Sequence, residues 1–205
     1  MTGTSLRFSI SSAIIACLPG FPLGVLIALK HFPGRRAVLA VLNTLMALPT
    51  VVIGLIVYAF ISRAGPLGGL GILFTPTAVV IGQAILAFPI VASLTASGLS
   101  NLDPLFPEVL TTLGANRRNI LWMSLRQGRG AVLSAALAAF GRVVGEVGAA
   151  MMLGGNIRWY TRTITTAIAL ETSKGEFELG LALGIILMAT ALGVNALLHA
   201  VVKHE

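Results

Sequence analysis

The chain has 205 residues, of which 56% are hydrophobic and only 10% charged, with a mean hydropathy of +0.94. A soluble monomer of that size could not keep so much apolar surface from water, which excludes an ordinary globular domain. The net charge of +7 does not indicate nucleic acid, because the basic residues are scattered over loops with neither a basic stripe nor an aromatic platform. The single Cys17 excludes an internal disulfide and a cysteine-based metal site.

Five apolar runs approach the ~20 residues needed to cross a hydrocarbon core. They lie near residues 8–29, 37–61, 72–99, 131–153 and 179–202, which predicts one all-α, five-span membrane domain over residues 1–205. Arg7 followed by Phe8–Ala16 also fits a signal peptide, and Ile14-Ile15-Ala16-Cys17 fits a lipoprotein-processing box. Apolar character continues past Cys17 to Leu29 and ends in a basic turn, however, which favours a spanning helix.

Lys30, Arg35, Arg36, Arg117, Arg118, Arg126, Arg129 and Lys203 fall on one side of a five-span arrangement, against Arg7, Arg63, Arg158, Arg162 and Lys174 on the other. The bias predicts an outside amino terminus and a cytoplasmic carboxyl terminus. Tyr58 and Trp159-Tyr160 are expected at the outer interface and Trp122 at the inner one. Glycines and prolines inside the runs, among them Pro19, Gly20, Pro49, Gly54, Gly82 and Pro89, are expected to pack against neighbouring helices.

Residues 101–130 form the long polar interruption. Asp103-Pro104 is a helix-start signal, and Leu105, Phe106, Val109, Leu110 and Leu113 recur at helical spacing until Gly114 permits a left-handed turn. A second helical pattern then carries Ile120, Leu121 and Leu125 with Arg117, Arg118, Arg126 and Arg129 around them. The prediction is a helix–turn–helix outside the bilayer.

Arg142 and Glu146 are charged residues well inside a run, and their spacing of four puts them on one helix face, able to pair. They suit either a pathway or gate, or an ion pair locking the helix to its neighbours. A proton relay is a third reading, weakened by the lack of a second intramembrane carboxylate. The segment 156–180 is too polar to span, with Ile164–Leu170 expected to form a short helix at or dipping into the outer face. Its Arg158, Arg162, Thr161, Thr163, Thr165 and Thr166 offer the charge and donors a tetrahedral oxyanion takes; ordinary caps and a lipid-headgroup contact are the simpler reading. Glu171, Glu176 and Glu178 beside Lys174 form a solvated face or a docking surface.

Glu108, then Gly114 six residues on, Ala115 and a basic helix resemble the cytoplasmic coupling loop of ABC-importer permeases. Glu108-Val109-Leu110 stands where that family has Glu-Ala-Ala, and Leu125-Arg126 where it has Leu-Pro. Gly145-Glu146-Val147-Gly148-Ala149 resembles a segment of the oxyanion-importing permeases, with Val147 in place of the usual Phe. Leu48-Pro49-Thr50-Val51-Val52-Ile53-Gly54, Phe74-Thr75-Pro76-Thr77-Ala78, Gly154-Gly155-Asn156-Ile157-Arg158 and the run from Tyr160 to Glu171 are similar to the tungstate-specific branch, from Ser5 onward. Relatives often carry an extra amino-terminal segment, so this start is expected to be shortened.

The resemblance implies the core of a type I ABC-importer permease that pairs with a second copy of itself, two ATPase subunits and an extracytoplasmic oxyanion-binding protein, in contact with membrane lipid. ATP and magnesium would then belong to the ATPase, and this chain would bind no cofactor or metal. Glu108, Gly114, Ala115, Arg117 and Arg118 would carry coupling. Arg142, Glu146, Asn156 and Thr163 would serve the pathway and gate, and Arg158 and Arg162 an outer anion or binding-protein contact. The alternatives are molybdate or sulfate as cargo, or a stand-alone ion-coupled secondary transporter. The sequence has no Gly-x-x-x-x-Gly-Lys-Ser/Thr loop, and His31, His199 and His204 lie apart without zinc-ligand spacing, so no catalysis is expected of this chain.

Overall fold

The computed structural model describes residues 1–203 apart from 31, 101 and 104, with side chains described through residue 196. His31, Asn101, Pro104 and His204, and the side chains of His199 and Lys203, therefore lie outside the described residues. Among the described residues the secondary structure is helical throughout, with no strand.

Helices α1 (Thr2–Leu29) and α4 (Pro76–Leu99) form the centre. They run parallel, side by side, at a constant offset. Ser12 hydrogen-bonds Gln83, 71 positions later, and the same offset sets Phe8 by Val79, Ala16 by Ala87, Gly20 by Val91 and Gly24 by Thr95. A methyl on Gly20 would come within 2.7 Å of Val91, and one on Gly24 within 2.6 Å of Thr95. The missing side chains are what let these helices approach so closely.

Two of the predicted spans are broken. Residues 37–61 divide into α2 (Arg35–Ala47) and α3 (Thr50–Ile61), set at 99°. Pro49 has no N–H to continue the helix and holds Leu48 extended, at φ −65° and ψ 139°. Residues 131–153 divide into α7 (Arg129–Val144) and α8 (Gly148–Gly154), set at 62° across Gly145, Glu146 and Val147. Among the described residues, three helices are long and apolar enough to cross a membrane alone: α1, α4 and the Phe177–Ala196 part of α10 (Phe177–Lys203). The predicted five spans require each bent pair to count as one. At 13 and 12 residues, α2 and α3 each reach only about 20 Å, short of the roughly 30 Å core. The third predicted span also begins later, at Pro76, because Thr75 caps α4 by accepting from the Ala78 N–H and proline suits the first helical position.

Helix α7 packs antiparallel on the central pair, with Ala131 at Gly98 and Ala139 and Val143 against Ala16, Ala87 and Val91. α2 covers the C-terminal ends of α1 and α4, where Leu42 meets Ile27, Ala92 and Ala96. α3 packs on α8 and on the start of α4, through Ile53, Val57 and Ile61 against Ala149, Leu153 and Ala78. The molecule thus has two ends. One gathers the start of α1, α8 and α9 (Ile164–Ser173), whose first N–H is bound by Ser5. The other gathers Lys30, α5 (Phe106–Thr112), α6 (Arg117–Gln127) and the start of α7. α10 rests on α9 and α7 with 6% of its apolar window buried, leaving its surface to lipid or another chain.

Candidate functional site

The break between α7 and α8 places charge in the interior. Glu146, 2% exposed, ends the last turn of α7, and its Oε2 accepts from Arg142 Nη1 at 3.3 Å. Its Oε1 accepts from the Ala149 N–H at 3.0 Å, satisfying one of the donors that the start of α8 leaves free. Both carboxylate oxygens are therefore partnered, as burial of a charge demands. The predicted Arg142–Glu146 pair is present, and Glu146 does a second job that its spacing did not reveal. The Arg142 side chain is 39% exposed, so the pair is only half enclosed. The other bent pair meets this point: Thr50 and Val51, just after Pro49, lie against Gly148.

A buried polar bridge supports the break. Ser12 Oγ lies 3.0 Å from Gln83 Oε1, and Gln83 Nε2 donates to the Val143 carbonyl at 3.3 Å, linking α1, α4 and α7. Gln83 is 2% exposed. It was not among the predicted site residues, although a lone amide in the apolar run 78–92 was a signal, since polar groups inside a membrane are costly unless partnered. From the other side, Thr165 Oγ1 donates to the Glu146 carbonyl at 2.8 Å.

The outer threonines are occupied internally. Thr163 N-caps α9 in a reciprocal capping box with Thr166, Thr161 donates to the Gly154 carbonyl, and all four of Thr161, Thr163, Thr165 and Thr166 are buried. In this arrangement the four hydroxyls cap and tie helices. Arg162 clamps Asn156, with Nε 3.1 Å from Asn156 Oδ1 and Nη2 3.2 Å from its carbonyl, and so holds that residue at φ +50°. Arg158 is different: its guanidinium is exposed and stacks over the Trp159 ring at 5.3 Å. α9 begins at Ile164 as expected, its first turn buried.

At the opposite end, α5 and α6 are short helices joined by the turn at Gly114–Asn116. Gly114, at φ +82°, closes α5 with the Ala115 N–H donating to the Leu110 carbonyl and the Gly114 N–H to that of Thr111. This paired pattern is a Schellman motif, and only a residue at ease with positive φ completes it. Asn116 then caps α6 by accepting from the Asn119 N–H at 2.8 Å. The start of α5 falls later than predicted: Asp103 Oδ1 accepts from the Leu105 N–H and the helix proper opens at Phe106. Of the apolar positions on α5 only Leu110 is buried. Leu105, Val109 and Leu113, one face of the helix, are 52–77% exposed, and Glu108, Arg117 and Arg118 are also exposed.

The family described as binding-protein-dependent transport system inner membrane component matches residues 20–204. A probable anion ABC transporter permease protein of Haloferax volcanii is 38% identical over 202 residues, covering 96% of this chain and 87% of that protein. The tungstate uptake system permease protein TupB of Campylobacter jejuni is 41% identical over 196 residues, covering 96% and 82%. Among solved structures, a chain of the MetNI methionine ABC transporter in an inward-facing form superposes with a TM-score of 0.70 at 17% identity, covering 97% of this chain and 93% of that one.

Proposed function

The chain belongs to the binding-protein-dependent transport system inner membrane component family, and from that membership we propose that it is the permease subunit of an ABC importer for tungstate. The carrying observation is the similarity, over 96% of the chain, to permeases named for anions and for tungstate uptake. It is a multi-pass inner-membrane, non-catalytic transport subunit, and ATP hydrolysis belongs to ATPase partners. We read the functional unit as two copies of this chain, two ATPases that bind ATP and magnesium, and an extracytoplasmic oxyanion-binding protein.

The end bearing Lys30, Arg35, Arg36 and α5–α6 then faces the cytoplasm, as its excess of basic residues favours. The amino terminus lies outside and the carboxyl terminus inside. The exposed Leu105, Val109 and Leu113 face is the surface an ATPase would bury, with Glu108 and Arg118 at its margins and the Gly114–Ala115 turn fixing the angle to α6. Approach of the two ATPases draws the α5 handles together. That movement passes along α7 to the break at Glu146, where α8 and α3 meet. Arg142 is the cation poised to receive the passing anion, and Glu146 holds the two arms of the bend. Asn156 and Thr163 act indirectly, by fixing the loop and helix above the break; Arg158, exposed, is the outer contact for anion or binding protein.

Proteoliposomes holding the permease, with the ATPase inside and the binding protein outside, test this. Labelled tungstate should enter only with ATP and with all three components present. Uptake that persists without the ATPase would instead make the chain a gradient-driven transporter, and stronger competition by molybdate or sulfate than by tungstate would change the cargo. Glu108→Lys should leave assembly and ATP hydrolysis in place while abolishing uptake; normal uptake would remove Glu108 from the coupling route.

A further inference from the structure

The geometry points to a binding groove for an anionic phospholipid between the coupling helices and the C-terminal end of α1. The groove holds about 690 Å³, within the usual range of ligand sites of roughly 300–1,000 Å³. Val25, Leu26 and Leu29 of α1 and Ile120 and Leu121 of α6 make its apolar walls. Lys30 and Arg117 stand at its rim with the single carboxylate of Glu108, leaving the rim net positive. The placement of each is a consequence of the fold. α1 is a spanning helix, so its last turn lies where hydrocarbon gives way to headgroups, and Lys30 follows immediately. The apolar walls therefore continue into the bilayer interior, and the two cations sit at phosphate level. A lipid placing an acyl chain between α1 and α6 and its phosphate between Lys30 and Arg117 satisfies both.

The surrounding charge argues for an anionic headgroup over a zwitterionic one. Arg35, Arg36, Arg118, Arg126 and Arg129 belong to this end, against Asp103 and Glu108 as its described carboxylates. Arg35 is already committed, its Nε donating to the Ile27 carbonyl at 2.7 Å, and it holds the end of α1 in place. Moreover, Glu108, Thr111 and Thr112 line the groove, whereas the exposed Leu105, Val109 and Leu113 do not. The lipid and a docking ATPase therefore contact different residues of α5, meeting only at Glu108. Resting on the permease reading, the inference is that the lipid wedges α5–α6 against α1 and sets how firmly ATPase movement reaches the membrane.

The test is lipid retention by the full-length permease, purified from nanodiscs of mixed phosphatidylglycerol and phosphatidylcholine and weighed by native mass spectrometry. Wild type should keep phosphatidylglycerol in preference to phosphatidylcholine. Lys30→Gln/Arg117→Gln should lower that preference about tenfold or more, as loss of two basic contacts at a membrane surface does. Arg126→Gln, at the same end but outside the groove, should not change it. Equal retention of both lipids by wild type, an undiminished preference in the double variant, or an equal loss in Arg126→Gln would each overturn the proposal. So would phosphatidylglycerol retained by the isolated permease but lost from its complex with the ATPase, which would give the groove to the ATPase. Each of these readouts is lipid retention and none is transport, so the result stands or falls independently of tungstate uptake.

Discussion

The Gln83 amide nitrogen donates to the Val143 carbonyl oxygen at 3.3 Å, joining residues 60 positions apart at the point where α7 stops being a helix. A carbonyl near a helix end lacks its intrahelical partner, and in a membrane no water replaces it. The Gly145 and Glu146 N–H groups return to the same oxygen, the latter at 3.2 Å, and the Gln83 amide joins them from outside the helix. Gln83 is therefore the prop on which the Arg142–Glu146 bend rests, and Ser12 in turn orients Gln83.

Gln83→Leu should lower stability by about 1 kcal/mol, the scale of interhelical hydrogen bonds in membranes. For a chain of this size that corresponds to a fall in Tm of roughly 2–4 °C. Thermal unfolding in a fixed detergent measures it, and an unchanged Tm would mean that the backbone N–H groups of Gly145 and Glu146 suffice for the Val143 carbonyl.

Glu146→Ala removes two things at once, the partner of Arg142 and the acceptor for the Ala149 N–H. Breaking a fully buried pair costs about 3–5 kcal/mol, but Arg142 is 39% exposed, which reduces the expected loss to about 2 kcal/mol. Glu146→Gln keeps an acceptor for Ala149 and should cost about half as much. Denaturant unfolding of both variants separates the cap from the charge. Equal losses would show that the cap contributes nothing.

The Arg142–Glu146 pair and the Gly114 turn were legible because each is local: one needs a spacing of four, the other a glycine after an amphipathic run. The bends were not. Hydropathy averaged over 37–61 or 131–153 records that residues are apolar and is blind to direction, so Pro49 and Gly145 looked like packing positions. The Gln83–Val143 bridge depends on the 71-residue register of α1 on α4 and on α7 lying antiparallel to both, neither of which any short window contains. The outer threonines left two readings open because their chemistry suits an anion and a helix cap equally well, and burial shows the hydroxyls holding helices together.

Two glycines inside helices, Gly24 of α1 and Gly141 of α7, should respond to alanine in opposite directions. At Gly24 the added methyl meets Thr95 Cβ at 2.6 Å and the Ala92 carbonyl oxygen at 2.9 Å, so α1 must move off α4, at a cost of about 1–3 kcal/mol. At Gly141 no atom lies within 4 Å of the same methyl, and Gly141→Ala should gain up to about 1 kcal/mol through helix propensity. Unfolding of the two variants in one detergent checks the pair. A stable Gly24→Ala protein would show that α1 and α4 are less tightly apposed than the register implies.

Gly114→Val should separate coupling from folding. A β-branched residue at φ +82° is strained by about 1–3 kcal/mol, which α5 can relieve by unwinding its last turn and abandoning the bonds from Ala115 and Gly114. The membrane core should not register the change, because among described residues α5 and α6 bury only Leu110 and Ser124. Expression and Tm should therefore stay close to wild type while ATP-driven uptake falls several-fold, since the Leu105, Val109 and Leu113 face no longer keeps a fixed angle to α6 and α7. Gly114→Asn, which tolerates the left-handed region, should restore much of the uptake. Full uptake in the valine variant would mean that the α5–α6 angle is set by the ATPase on docking and not by the turn.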